Sequence, residues 1–134
     1  MQTQRAMTVL QVGDLDRSLA FYGRLGFATT GIWGEPPGVA IVQRGAVSIM
    51  LQLADEVNTA GGRWSIYVYV DDVDTLNAEL AAEGIEISGP PEDKYYGCRD
   101  IGIYDPDGHS LAFGQDLDPG PAGPGLSATT RGKG

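Results

Sequence analysis

The sequence has one cysteine, one histidine and half as many basic as acidic residues. A lone thiol, Cys98, can form no internal disulfide and suits a reducing compartment, so the cytoplasm is the expected location. No apolar run approaches the roughly 20 residues that a membrane-spanning helix needs. Met1 to Met7 carries a single Arg with no hydrophobic stretch after it, so no secretory signal is expected. Nine basic residues against eighteen acidic ones leave a formal charge of −9. That balance argues against nucleic acid or an anionic membrane as partner, since both select clustered Lys and Arg. It suits a cationic ligand where the acids line a pocket, and otherwise reads as a solvated acidic surface.

What is present is enough for one domain. A chain of 134 residues, 42% apolar and 20% charged, can bury one core but not two independent ones. Residues 7–12 alternate and favour a strand. Asp14 then precedes Leu15, Leu19, Tyr22 and Leu25 at helical spacing, with Arg17 and Arg24 on the opposite face and Gly26 as the stop. Phe27 to Trp33, Val39 to Arg44 and Val47 to Leu53 follow as strands, separated by GEPPG and by Arg44-Gly45.

The same order then recurs. Ser65 to Val70 reads as a strand, Val73 to Glu83 as a helix ended by Gly84, and Ile85 to Ser88, Arg99 to Tyr104 and Ser110 to Gln115 as strands. Asp14 and Asp72 stand 58 positions apart, as do Gly26 and Gly84, so VGDLDRSLAFYGRLGF and VDDVDTLNAELAAEGI align as a duplication. The spacing predicts an α+β fold of two βαβββ modules, about 7–54 and 64–115, within one domain spanning 1–115. Residues 116–134 form a tail with three prolines and five glycines, too poor in apolar groups to order itself.

The segment VGDLDRSLAFYGRLGF, with its strand, acidic cap, Ser and Phe-Tyr pair, resembles the opening of vicinal-oxygen-chelate proteins, the glyoxalase, bleomycin-resistance and dioxygenase superfamily. YGCRDIGIYDPDGHSLAFGQ is similar to that family's closing hairpin, whose DPDG turn also has the residues a tight turn needs. The resemblance covers about residues 7–115. It implies curled mixed sheets around a cleft, with the helices on the outer face. It also implies, for metalloenzymes of the family, four His, Glu or Gln ligands in the first and last strands of each module.

Carried onto this chain, those ligand positions fall at Met7, Met50, Ser65 and Ala112. Two thioethers, a hydroxyl and a methyl cannot hold a divalent first-row metal, so no metal and no cofactor are expected. His109 follows the turn and shares parity with Leu111 and Phe113, away from the cleft, so a structural role is expected. Cys98 has no histidine near it in sequence and reads as inert packing. Arg99 is expected to hold Asp100 or Asp105, or to face a ligand.

Alternation places Ser65, Tyr67 and Tyr69 on one strand face, opposite Trp64, Ile66, Val68 and Val70. The expected ligand-binding residues are Trp33, Met50, Gln52, Tyr67, Tyr69, Tyr95, Tyr96 and Ala112. Stacked rings supply affinity without catalysis, although Tyr and Trp are equally at home in a dimer interface. No catalytic residue is expected. The chain resembles metal-free bleomycin-resistance-type proteins, which implies sequestration of an aromatic or cationic antibiotic or natural product by a homodimer. The alternatives are a metal-independent lyase, cyclase or isomerase of secondary metabolism, and a regulatory partner in a larger complex.

Overall fold

The computed structural model describes residues 1–126. Its elements run β1 Thr8–Val12, α1 Leu15–Arg24, β2 Ala28–Trp33, β3 Val39–Arg44, β4 Val47–Leu53, β5 Trp64–Tyr69, α2 Val73–Ala82, β6 Glu92–Asp93, β7 Cys98–Tyr104 and β8 Ser110–Asp116. The two four-stranded sheets have the orders β1-β4-β3-β2 and β5-β8-β7-β6, the same arrangement used twice. This is the duplicated α+β fold that the repeat predicts. Contacts divide the chain into two compact units: Met1–Ser65 with Asp105–His109, and Ile66–Tyr104 with the chain from Ser110.

In the first unit β1 runs parallel to β4, while β3 is antiparallel to both β4 and β2. One sheet face buries Leu10, Val12, Ala40, Val42, Ile49 and Leu51, and α1 covers it with Leu15, Ser18 and Tyr22. The buried helix row thus includes Ser18, whereas Leu19 is only half-buried. Leu53, the last residue of β4, is 43% exposed. The opposite face carries Val9, Gln11, Ile41, Met50 and Gln52.

In the second unit α2 packs Val73, Leu76 and Leu80 against β7 and β8, where Ile101, Ile103, Leu111 and Phe113 are buried. Both helices are capped as the duplication requires. Asp14 accepts from the Arg17 amide and Asp72 from the Thr75 amide, each at 3.0 Å. Gly26 and Gly84 stop them at φ +87° and +72°, the left-handed conformation that a side chain disfavours.

One expected strand is displaced. Ile85 to Ser88 does not pair as a ladder: Ile85 donates its amide to Leu80 and is buried, and Ser88 makes a single bond to Gly102. Pairing with β7 begins only after Gly89-Pro90-Pro91, at Glu92 and Asp93. The two prolines lack the N–H a ladder needs.

Candidate functional site

On the open face of the first sheet, Trp33, Val39, Gln52 and Gln11 stand in one register row, with Gly31, Ile41, Met50 and Val9 in the next. Trp33 lays its ring across Gly31, where any Cβ would collide with it, and remains 52% exposed. A cavity of about 370 Å³ opens on this unit. Its polar lining comes from Thr8, Gln11, Gln52, Asn58, Ser65 and His109, and its apolar lining from Val9, Leu10 and Ala60. None of these side chains is a carboxylate, ammonium or guanidinium. Gln52 therefore lines a cavity, while Met50 lies half-buried beside Val9 and Ile41.

His109 departs from the expectation. It is buried and lines the cavity, and its Nε2 lies 2.6 Å from the Gln11 carbonyl oxygen. A carbonyl only accepts, so the proton sits on Nε2, and Nδ1 has no hydrogen-bond partner among the described residues. Strand parity missed this because His109 precedes β8 and belongs to the turn. The turn itself is tied to α1. Asp105 accepts from Tyr22, Asp107 and His109, and Asp107 accepts from Gly13 and Arg17.

The second unit carries a cluster of rings. Tyr67 meets Tyr69 edge-on at 5.2 Å between centroids and Tyr96 at 6.5 Å, and Tyr95 meets Tyr96 at 5.1 Å. The four tyrosines expected at the site are thus brought together. Asp100, buried on β7, holds two of them: one of its oxygens accepts from the Tyr67 hydroxyl at 3.1 Å and also from the Tyr96 hydroxyl. Lys94 lies 3.8 Å from its other oxygen. Gly114 sits opposite Asp100 in register, and a Cβ there would strike the Tyr67 hydroxyl, so the glycine makes room for that ring. Burial pushes the Tyr67 and Tyr96 phenols up, and Asp100 pushes them further; Cys98 adds to both. Tyr69 is raised by burial, then by Cys98 and Asp116.

Asp100 was not foreseen as a site residue. Its signal was available: an acid between Arg99 and Ile101 on a strand whose odd positions, Ile101 and Ile103, face the core. Ala112 is buried, at 1% exposed, because both faces of β8 are covered, so it offers no open surface to a ligand. Cys98 is buried, in keeping with packing. Arg99 reaches neither Asp100 nor Asp105; it pairs with Asp74 of α2 at 3.1 Å and Asp93 of β6 at 3.0 Å, because it shares strand parity with Ile101 and Ile103 and so leaves β7 on the face that α2 covers.

The donor set does not fit a metal. Met7, Met50 and Ser65 of the first unit offer thioethers and a hydroxyl, and Ala112 of the second a methyl. Among the described residues no three His, Cys, Asp or Glu side chains come together to hold one.

Duplicated βαβββ modules with a DPDG turn define the vicinal-oxygen-chelate architecture. The chain belongs to the Glyoxalase/Bleomycin resistance protein/Dioxygenase superfamily, whose sequence model matches residues 4–113. It is similar to the bleomycin resistance determinant encoded on transposon Tn5, with 26% identity, a TM-score of 0.74, and 85% of this chain and 98% of that one covered. It is also similar to a bleomycin-binding protein complexed with bleomycin (26% identity, TM-score 0.73, 84% and 98% covered). TioX from Micromonospora sp. ML1 matches at 27% identity and a TM-score of 0.72, covering 86% of this chain and 100% of that one. No curated protein sequence matches the chain.

Proposed function

We propose that the protein binds and sequesters an aromatic or cationic small molecule of the antibiotic or natural-product type, without metal. The observation that carries this reading is the tyrosine cluster of the second unit, braced from below by the buried Asp100 carboxylate. Rings held in place by hydrogen bonds lose little freedom when a flat ligand stacks on them. Charge supports it too. The described part of the second unit carries eleven acidic residues against Lys94 and Arg99 alone. A cation is attracted by that field and by the ring faces. The similarity to bleomycin resistance and bleomycin-binding proteins supports the ligand class.

Trp33 and Gln52 are taken as ligand contacts of the first unit because one is an exposed ring and the other lines the cavity, and Met50 joins them from the neighbouring register row on the same sheet face. The same reading has the protein act in the cytoplasm as a homodimer, which sedimentation of the purified chain checks. Among the described residues no helix is long and apolar enough to cross a membrane.

One observation favours a second reading, a metal-independent lyase, cyclase or isomerase: Asp100 shares hydrogen bonds with two phenols. The raised phenols would act there as proton donors rather than bases. Fluorescence titration with bleomycin and a panel of planar cationic natural products tests the choice. Saturable binding, weakened about tenfold by Tyr67→Ala, supports sequestration. Consumption of a panel member with product release, or a Tyr67→Ala variant that binds like the parent, overturns it.

A further inference from the structure

The chain beyond β8, expected to be without order of its own, is folded back as far as Leu126. Asp116, the last residue of β8, organises it. Its Oδ1 accepts the Asp118 amide at 3.0 Å and its Oδ2 the Gly125 amide at 2.9 Å, closing a loop across nine positions. Leu117 donates its amide to Gly97, Gly123 to Gly120, and Leu126 to Gly123. Pro119, Pro121 and Pro124 restrict the released chain, so less entropy is lost on latching.

The latch ends on a ring. Gly125 adopts φ +77°, and a Cβ built on it would lie 2.8–2.9 Å from the hydroxyl and ring carbons of Tyr69. Only a residue without a side chain lets the backbone approach so closely. Tyr69 in turn packs edge-on against Tyr67.

We propose that Leu117–Leu126 is a strap that covers part of Tyr69, so that any flat ligand stacking on this ring competes with Gly125 for it. The inference rests on the tyrosine cluster being the ligand surface. The strap sets the outer limit of that surface and controls access to one of its rings. It opens more readily than the strands, because it is held by a few exposed turn bonds and one carboxylate.

The test uses the full chain and a flavin photosensitiser, itself a planar aromatic probe that polarises the protons of tyrosine rings it can reach. Two variants release the strap: Gly125→Val, which forces a branched side chain against the ring, and Asp116→Ala, which removes both carboxylate bonds. Tyr95, 86% exposed, serves as the internal reference, and Tyr69→Phe assigns the signal. The Tyr69 polarisation is expected to rise at least twofold relative to Tyr95 in both variants. An unchanged Tyr69 signal in either folded variant overturns the strap. Bleomycin is then titrated into the same proteins. Binding several-fold tighter in the released variants supports competition, and equal affinity overturns it. Absence of binding of bleomycin and of every panel member in parent and variants alike overturns the binding reading and with it the competition, while the flavin measurement still decides whether the strap covers the ring.

Discussion

Tyr22 of α1 donates its hydroxyl to Asp105 at 2.9 Å, joining residues 83 positions apart in the interior of the first unit. Both are buried, and the same carboxylate also accepts two backbone amides of its own turn. The DPDG turn is therefore held by a helix far from it in sequence, and its residues serve more than the reversal of the chain.

Tyr22→Phe keeps the ring and removes the donor. It should cost about 1–3 kcal/mol of stability, since a buried carboxylate loses a partner. Urea unfolding of the two proteins measures this, with the slope expected to stay unchanged. A variant as stable as the parent would mean that Asp105 is satisfied by its turn alone.

Alkaline titration should count fewer phenolates than the six tyrosines. Burial, with Asp105 beside Tyr22 and Asp100 beside Tyr67 and Tyr96, holds these phenols above their ordinary value. The folded chain thus keeps protons that the unfolded chain releases near pH ~10. Stability is fully present below that pH and falls as pH rises beyond it. Near-ultraviolet absorbance should show the missing phenolates forming together with unfolding. Asp100→Asn should move the onset for Tyr67 and Tyr96 down; an identical profile would place the cause in burial alone.

Metal should have no effect. With Met7, Met50, Ser65 and Ala112 at the positions that the family resemblance implies for metal ligands, dialysed protein should contain no stoichiometric zinc, nickel, iron or manganese. Added divalent ions should leave the midpoint of thermal unfolding in place. A rise of several degrees with one of them would point to a donor set formed elsewhere in the chain.

Much of this architecture was legible in the sequence, for physical reasons that differ by element. The helices declared themselves through Asp14 and Asp72 as caps and Gly26 and Gly84 as stops, all local signals. Tyr67 and Tyr69 followed from strand parity, which depends only on the pleat. Ile85 and Ile87 alternate like a strand, yet Ile85 is buried with its amide bonded back to Leu80 of α2, and alternation cannot distinguish packing from pairing. Arg99, His109 and Asp100 were misjudged or missed because their partners lie far away in the chain: Asp74 for Arg99, Gln11 for His109, Tyr67 for Asp100. The latch at Gly125 was invisible for the same reason. Composition describes a Pro- and Gly-rich stretch well, but says nothing of a carboxylate waiting at Asp116.

The repeat offset of 58 pairs Ser18 with Leu76 and Tyr22 with Leu80, and all four side chains are buried. Where the first helix presents hydroxyls to Asp105 and Asp107, the second presents leucines to an apolar sheet face. The copies have consequently become non-exchangeable parts. A chimera with two first helices would bury hydroxyls with no carboxylate to receive them, and one with two second helices would leave Asp105 with only the amides of its own turn. Whatever symmetry the ancestral gene possessed, each half of this chain now fits only its own place.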